Sequence, residues 1–75
     1  MRAASLRLLV ITMRREVAAR YQRVTRRWLA ARSAYRRLHA APVQQLGALR
    51  RAAQRLERLA RGRAALMSDL KALAD

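Results

Sequence analysis

Two stretches of this chain place apolar residues at alternating intervals of three and four, and the only proline stands between them. This spacing is typical of one face of an α-helix, on which residues three and four apart are neighbours. Ala, Leu and Arg dominate the composition, while Gly occurs only twice and β-branched residues are few, so strands are not expected. We therefore predict an all-α protein with two long helices.

The apolar stripe of the first stretch runs from Leu6 to Leu38, with one irregular step at Val17. The second stripe runs from Leu49 to Leu73 as a strict heptad that only Arg63 interrupts. We predict that the two stripes pack together in a seam whose register places Leu38 opposite Leu49 and Val17 opposite Leu70. The predicted seam residues are Val17, Tyr21, Val24, Trp28, Tyr35 and Leu38 on the first helix and Leu49, Leu56, Leu59, Leu66 and Leu70 on the second.

The connection between the stripes contains Pro42 and one of the two glycines. Pro42 lacks a backbone N–H and disfavours helical geometry at the preceding residue, so the first helix should end near Ala40. We predict a single domain over residues 1–75. It has a first helix over about residues 3–40, a turn from about Ala41 to Gly47 and a second helix over about residues 45–74. The result is an antiparallel, coiled-coil-like hairpin; one long helix kinked at Pro42 is the alternative.

The first predicted helix is longer than the second by roughly ten residues, or about 15 Å, at the N-terminal end. Apolar side chains surround this overhanging end, so a single neighbouring helix cannot cover all of them. We predict that the overhang docks into another subunit or onto a membrane surface. Its predicted docking residues are Leu6, Leu9, Val10 and Met13.

The net charge is +14, with 17 Arg and a single Lys, and residues 14–63 alone carry +13. Guanidinium groups match phosphate and carboxylate in bidentate geometry, so a polyanion is the expected partner. A purely solvated Arg face, produced by the base composition of the gene, is the alternative interpretation. The predicted polyanion-binding residues are Arg20, Arg23, Arg26, Arg27, Arg36, Arg37, Arg50, Arg51, Arg55, Arg58 and Arg61.

Tyr21, Trp28 and Tyr35 lie seven residues apart on the first stripe. Such a series can form a stacking platform for unpaired bases, but their place on the apolar stripe favours a role in the seam. Arg63 has two interpretations as well. Its aliphatic stem packs in the seam while its charged end extends into solvent, or it forms an ion pair with another chain. The first of these is the expectation for Arg63.

Several classes of protein are excluded at this stage. The chain has no Cys, and its longest apolar run, residues 8–11, is far shorter than the roughly 20 residues of a transmembrane helix. The acidic residues form no local pair, and His39 stands alone beside the predicted turn. We therefore expect no enzyme activity, no cofactor, no metal site and no transmembrane span.

The expected function is that of a small, basic, non-enzymatic subunit of a larger assembly that contacts the phosphate backbone of RNA. It would do so in a ribosome-like particle or as an RNA-binding hairpin dimer, because no motif for base-specific recognition is present. One alternative is an accessory subunit of a mitochondrial or other organellar membrane complex that contacts acidic proteins or anionic lipid. A nucleoid-type DNA-binding protein is the second alternative.

The first fifteen residues contain Arg and hydroxyl side chains and no acid. This composition is similar to that of mitochondrial targeting segments. We expect an intracellular protein, located in the mitochondrial matrix or, alternatively, in a bacterial cytoplasm.

Overall fold

The computed structural model describes residues 2–43 and 45–74, with side chains from residue 4 onward; Gln44 of the predicted turn lies outside the described residues. Helix α1 spans Arg2–Ala40 and helix α2 spans Leu46–Ala74. The two helices run antiparallel and contact each other extensively. The predicted all-α hairpin is confirmed, and the alternative of one long kinked helix is wrong.

Two backbone hydrogen bonds mark the end of α1 and the start of α2. The Ala41 N–H donates to the Leu38 carbonyl at 3.4 Å, which closes the last turn of α1. The Leu49 N–H donates to the Gln45 carbonyl at 3.0 Å, so Gln45 accepts a first-turn hydrogen bond of α2. Pro42 lies in the bend between them, and Gly47, where the predicted turn and the predicted second helix overlapped, lies inside α2.

Two side-chain contacts between the helices define their register. Arg14 Nε donates to the Leu73 carbonyl. Arg14 is three residues before Val17 and Leu73 is three residues after Leu70, so this contact has the register predicted for Val17 and Leu70. Arg63 Nε donates to Thr25 Oγ1 at 3.1 Å, and Thr25 is the neighbour of the residue predicted opposite Arg63. Both contacts lie within one residue of the predicted register.

The core of the hairpin is a narrow strip along the seam. Ala31 is the only buried residue among those that the structure describes, with 7% of its surface exposed. All the predicted seam residues are partly buried. Near the turn, Ala31, Ala34 and Ala52 line a shallow groove of about 220 Å³, so small residues face each other there without filling the space.

The molecule is a rod of 64 × 15 × 14 Å with a solvent-accessible surface of 6369 Å². A compact monomer of its mass, 8.6 kDa, exposes about 4,700 Å². The excess of roughly 1,700 Å² is larger than the roughly 800 Å² that each partner buries in a standard protein interface. The hairpin therefore has enough uncovered surface to form a stable contact with another molecule.

Gly62 offers a test of the structure of α2. Its φ is not positive, and a Cβ placed on it would meet no atom within 4 Å. We expect Gly62→Ala to raise the free energy of unfolding by about 0.5–1 kcal/mol, because Ala favours the helix over Gly. Thermal melting followed by circular dichroism measures this as a rise of several degrees. Ala60→Gly should lower the melting temperature by a similar amount, and an unchanged Gly62→Ala melt would contradict a continuous α2.

Candidate polyanion interface

The predicted polyanion-binding arginines are all exposed on the outside of the hairpin. Within the described residues one ion pair is present, between Arg61 Nη2 and Glu57 Oε1 at 2.5 Å. Both partners are exposed and one helical turn apart, which makes such a pair worth about 0.3–0.5 kcal/mol. The other predicted arginines therefore have no carboxylate partner in the described part of the chain.

The structure brings predicted arginines of both helices together at one place. Arg27 of α1 and Arg55 and Arg58 of α2 line a depression of about 280 Å³ together with Leu59. We call this the basic depression. Its lining contains no carboxylate, so no lining residue offsets the positive charge of the three arginines.

An adjacent depression shows how a carboxylate changes this arrangement. Arg58 also borders a space of about 240 Å³ that is lined by Gln54, Glu57 and Arg61. There the Glu57 carboxylate pairs with Arg61 and offsets part of the positive charge. The attraction for an anion is therefore stronger on the side of the basic depression.

Arg63 forms a separate cluster, in the seam. Its Cζ lies 5.2 Å from the ring centroid of Tyr21 and 5.0 Å from that of Trp28, within the range of cation–π contacts. Its Nε donates to Thr25 Oγ1. The expectation that the charged end extends into solvent is corrected: the guanidinium itself contacts two rings and a hydroxyl group, and Arg63 as a residue is partly buried.

Arg32 belongs to the same cluster, although it is not among the residues predicted from the sequence. Its Cζ lies 5.4 Å from the Trp28 ring centroid, one helical turn along α1. Arg32 and Arg63 are the partly buried arginines among the described residues. The signal in the sequence was the spacing of four between Trp28 and Arg32, which places the two side chains side by side. We call Tyr21, Trp28, Arg32 and Arg63 the Arg–aromatic cluster.

The three aromatic residues lie on the seam face and are partly buried. Tyr35 lies farther along α1 and has its own neighbour, because its ring centroid is 5.9 Å from that of His39. His39, which seemed isolated in the sequence, is therefore packed against a ring at the end of α1. The aromatic series is not a continuous exposed platform.

The N-terminal end of α1 extends beyond α2. Leu6 and Leu9 are 61% and 55% exposed, Met13 is also exposed, and Val10 is partly buried. Leu8 and Ile11 are exposed as well, and the Thr12 hydroxyl donates to the Leu8 carbonyl at 2.9 Å, so it is satisfied within the helix. This end therefore presents a largely apolar surface. Neither helix contains, over the described residues, a segment long and apolar enough to cross a bilayer.

The chain matches no protein-family model, no curated protein and no solved structure. Three features of its surface differ in their chemistry: the basic depression, the Arg–aromatic cluster and the exposed apolar end of α1.

The unneutralised arginines predict a specific dependence of stability on salt. Like charges one helical turn apart destabilise a helix by about 0.2–0.5 kcal/mol per pair, and salt screens them. We expect the melting temperature to rise between about 20 mM and about 500 mM sodium chloride, as ionic strength shortens the screening length. Circular dichroism melts measure this, with sucrose as an uncharged control. A melting temperature that falls with salt would show that attractive ion pairs dominate.

Proposed function

We propose that this protein is a small basic subunit of a larger assembly and that it binds the phosphate backbone of RNA. The observation that carries the proposal is the basic depression, where Arg27, Arg55 and Arg58 converge from two helices without a carboxylate. Guanidinium groups bind phosphate oxygens in bidentate geometry. They displace counterions from the RNA backbone, and the release of these ions drives the association. Such contacts read charge and shape, so the binding is independent of base sequence.

The shape of the hairpin favours folded RNA over duplex DNA. The rod measures 15 × 14 Å in cross-section, whereas the major groove of B-DNA is about 12 Å wide and accepts a single helix. The paired helices therefore contact phosphates from outside a groove. Exposed arginines lie on both helices, and a folded RNA presents phosphates from several strands around such a rod, whereas a straight duplex presents them on one side. Binding to nucleoid DNA is an outcome that the experiment below distinguishes.

The apolar end of α1 supports the assembly part of the proposal. Exposed leucines at this end, together with the large uncovered surface of the rod, are typical of a subunit that contacts other subunits. We propose that Leu6, Leu9, Val10 and Met13 dock into another protein subunit or a second copy of the chain. The second candidate is an accessory subunit of an organellar membrane complex, which the cationic Arg7 among exposed leucines favours because it suits an anionic lipid surface.

A charge-matched comparison tests the RNA interface. The variant Arg27→Gln/Arg55→Gln/Arg58→Gln removes the basic depression and should weaken binding to a structured RNA about tenfold or more at low salt. The slope of log affinity against log salt should fall by about 2–3, because three phosphate contacts are lost. Fluorescence anisotropy at several salt concentrations measures both quantities.

The matched control is Arg7→Gln/Arg15→Gln/Lys71→Gln, which removes the same charge outside the basic depression. It should reduce the affinity much less. Equal losses in the two triple variants would mean that overall charge, rather than the converging arginines, attracts the RNA. Tighter binding to duplex DNA than to RNA would favour the nucleoid alternative.

The apolar end can be tested on its own. Leu6→Ser/Leu9→Ser should leave the helix content unchanged, because both side chains lie beyond the seam, and should reduce self-association measured by sedimentation velocity. Leu29→Ser, also exposed but in the middle of α1, is the control. Unchanged sedimentation together with loss of flotation on anionic vesicles would contradict protein docking and favour the membrane alternative.

A further inference from the structure

Two positively charged side chains share one indole ring in this structure. The guanidinium carbons of Arg32 and Arg63 lie 5.4 and 5.0 Å from the Trp28 ring centroid. They come from different helices, and both are partly buried, unlike the other described arginines. The fold therefore holds two like charges near one ring and removes part of their hydration.

No carboxylate of the described residues pairs with either charge. The one ion pair among the described residues, Arg61 with Glu57, lies elsewhere. Arg63 donates from Nε to Thr25 Oγ1, and the described residues offer no acceptor for its terminal nitrogens or for the guanidinium of Arg32. Partial burial strengthens the attraction of such a pair for an anion, because solvent screens it less than it screens the exposed arginines.

A groove opens beside the Arg63 charge, and the Trp28 ring that Arg32 contacts also lines it. It has a volume of about 300 Å³ and is lined by Tyr21, Trp28, Ala60, Arg63, Ala64 and Met67. On α2 the lining consists of Arg63, two alanines and Met67. Apart from Arg63, the groove is therefore apolar and aromatic. Apolar and aromatic walls beside unpaired guanidinium donors suit a flat ring attached to an anionic group.

We propose that this groove binds one unpaired nucleotide of RNA, an inference that rests on the proposed function and specifies part of it. The base lies in the groove against the Tyr21 and Trp28 rings and Met67. Its phosphate accepts hydrogen bonds from the terminal nitrogens of Arg63 and Arg32. Guanidinium planes and aromatic rings stack well on splayed bases, whereas a base inside a duplex cannot enter a groove of this size.

Trp28 makes the proposal directly measurable, since it is the only tryptophan in the chain. The protein is titrated with a single-stranded uridine oligonucleotide, with an RNA duplex of the same length and with inorganic polyphosphate, which carries no base. We expect a saturable change in Trp28 emission with the single strand and a much smaller one with the duplex and with polyphosphate. Equal changes with all three probes would show that the groove recognises charge alone and would overturn the proposal.

Variants separate the groove from the rest of the positive surface. Arg63→Leu completes the heptad of α2 and Arg32→Gln keeps a polar side chain of good helix propensity, so both should keep the hairpin, as circular dichroism will show. Each should lower the affinity for the single strand about tenfold, the loss expected when one stacked or charged contact is removed. Arg15→Gln, with the same change in charge, should have a much smaller effect. Arg63→Lys keeps the charge and should still lose the preference for single strand over duplex.

The outcomes distinguish this inference from the proposed function. If Arg63→Leu and Arg15→Gln reduce single-strand binding equally while the basic-depression variant still weakens RNA binding, the nucleotide site is wrong and the backbone interface stands. If none of the nucleic acids binds, both proposals fail. Binding of an acidic peptide in place of the oligonucleotide, with the same response of Trp28, would assign the groove to a protein carboxylate and overturn the nucleotide site.

Discussion

Repulsion between unneutralised arginines, opposed by a single narrow seam, is the constraint on which this structure depends. Residues 14–63 carry a charge of +13, and the described chain offsets one arginine with a carboxylate. The seam that opposes this repulsion has a small core, in which only Ala31 is buried among the described residues. Such a balance leaves the free hairpin with a small margin of stability, and binding of an anion would increase that margin by mass action.

The positive charge is divided between two different environments. In the basic depression, exposed guanidiniums from α1 and α2 meet at the surface and suit a backbone phosphate. In the Arg–aromatic cluster, Arg32 and Arg63 are held against Trp28 with part of their hydration removed, beside an apolar groove. The apolar end of α1 lies beyond the reach of α2 and separate from both. One short chain thus presents three surfaces with different chemistry.

The fold was predictable because a long, regular heptad such as Leu49 to Leu73 has few ways to pack, and the position of Pro42 determines where the chain turns. The residue at which the second helix begins, near Gly47, was not predictable, because neighbouring residues decide whether a glycine near a turn joins the helix. The Arg–aromatic cluster and the convergence of Arg27 with Arg55 depend on side-chain direction and on the register to within one residue. A pattern of apolar spacings assigns residues to faces, and it does not show which long side chains meet across two helices. Arg32 is a different case, because its contact with Trp28 lies within α1 at a spacing of four, which the sequence does show.

We propose that RNA is the partner of this positive surface, and the decisive measurement identifies what accompanies the protein from its own cells. The protein is isolated at low ionic strength, and the bound material is identified by its ultraviolet absorbance and its sensitivity to ribonuclease. We expect RNA that dissociates as the salt concentration rises and disappears after ribonuclease treatment. Protein that carries no nucleic acid under these conditions, and is accompanied by acidic proteins or anionic lipid instead, would contradict it.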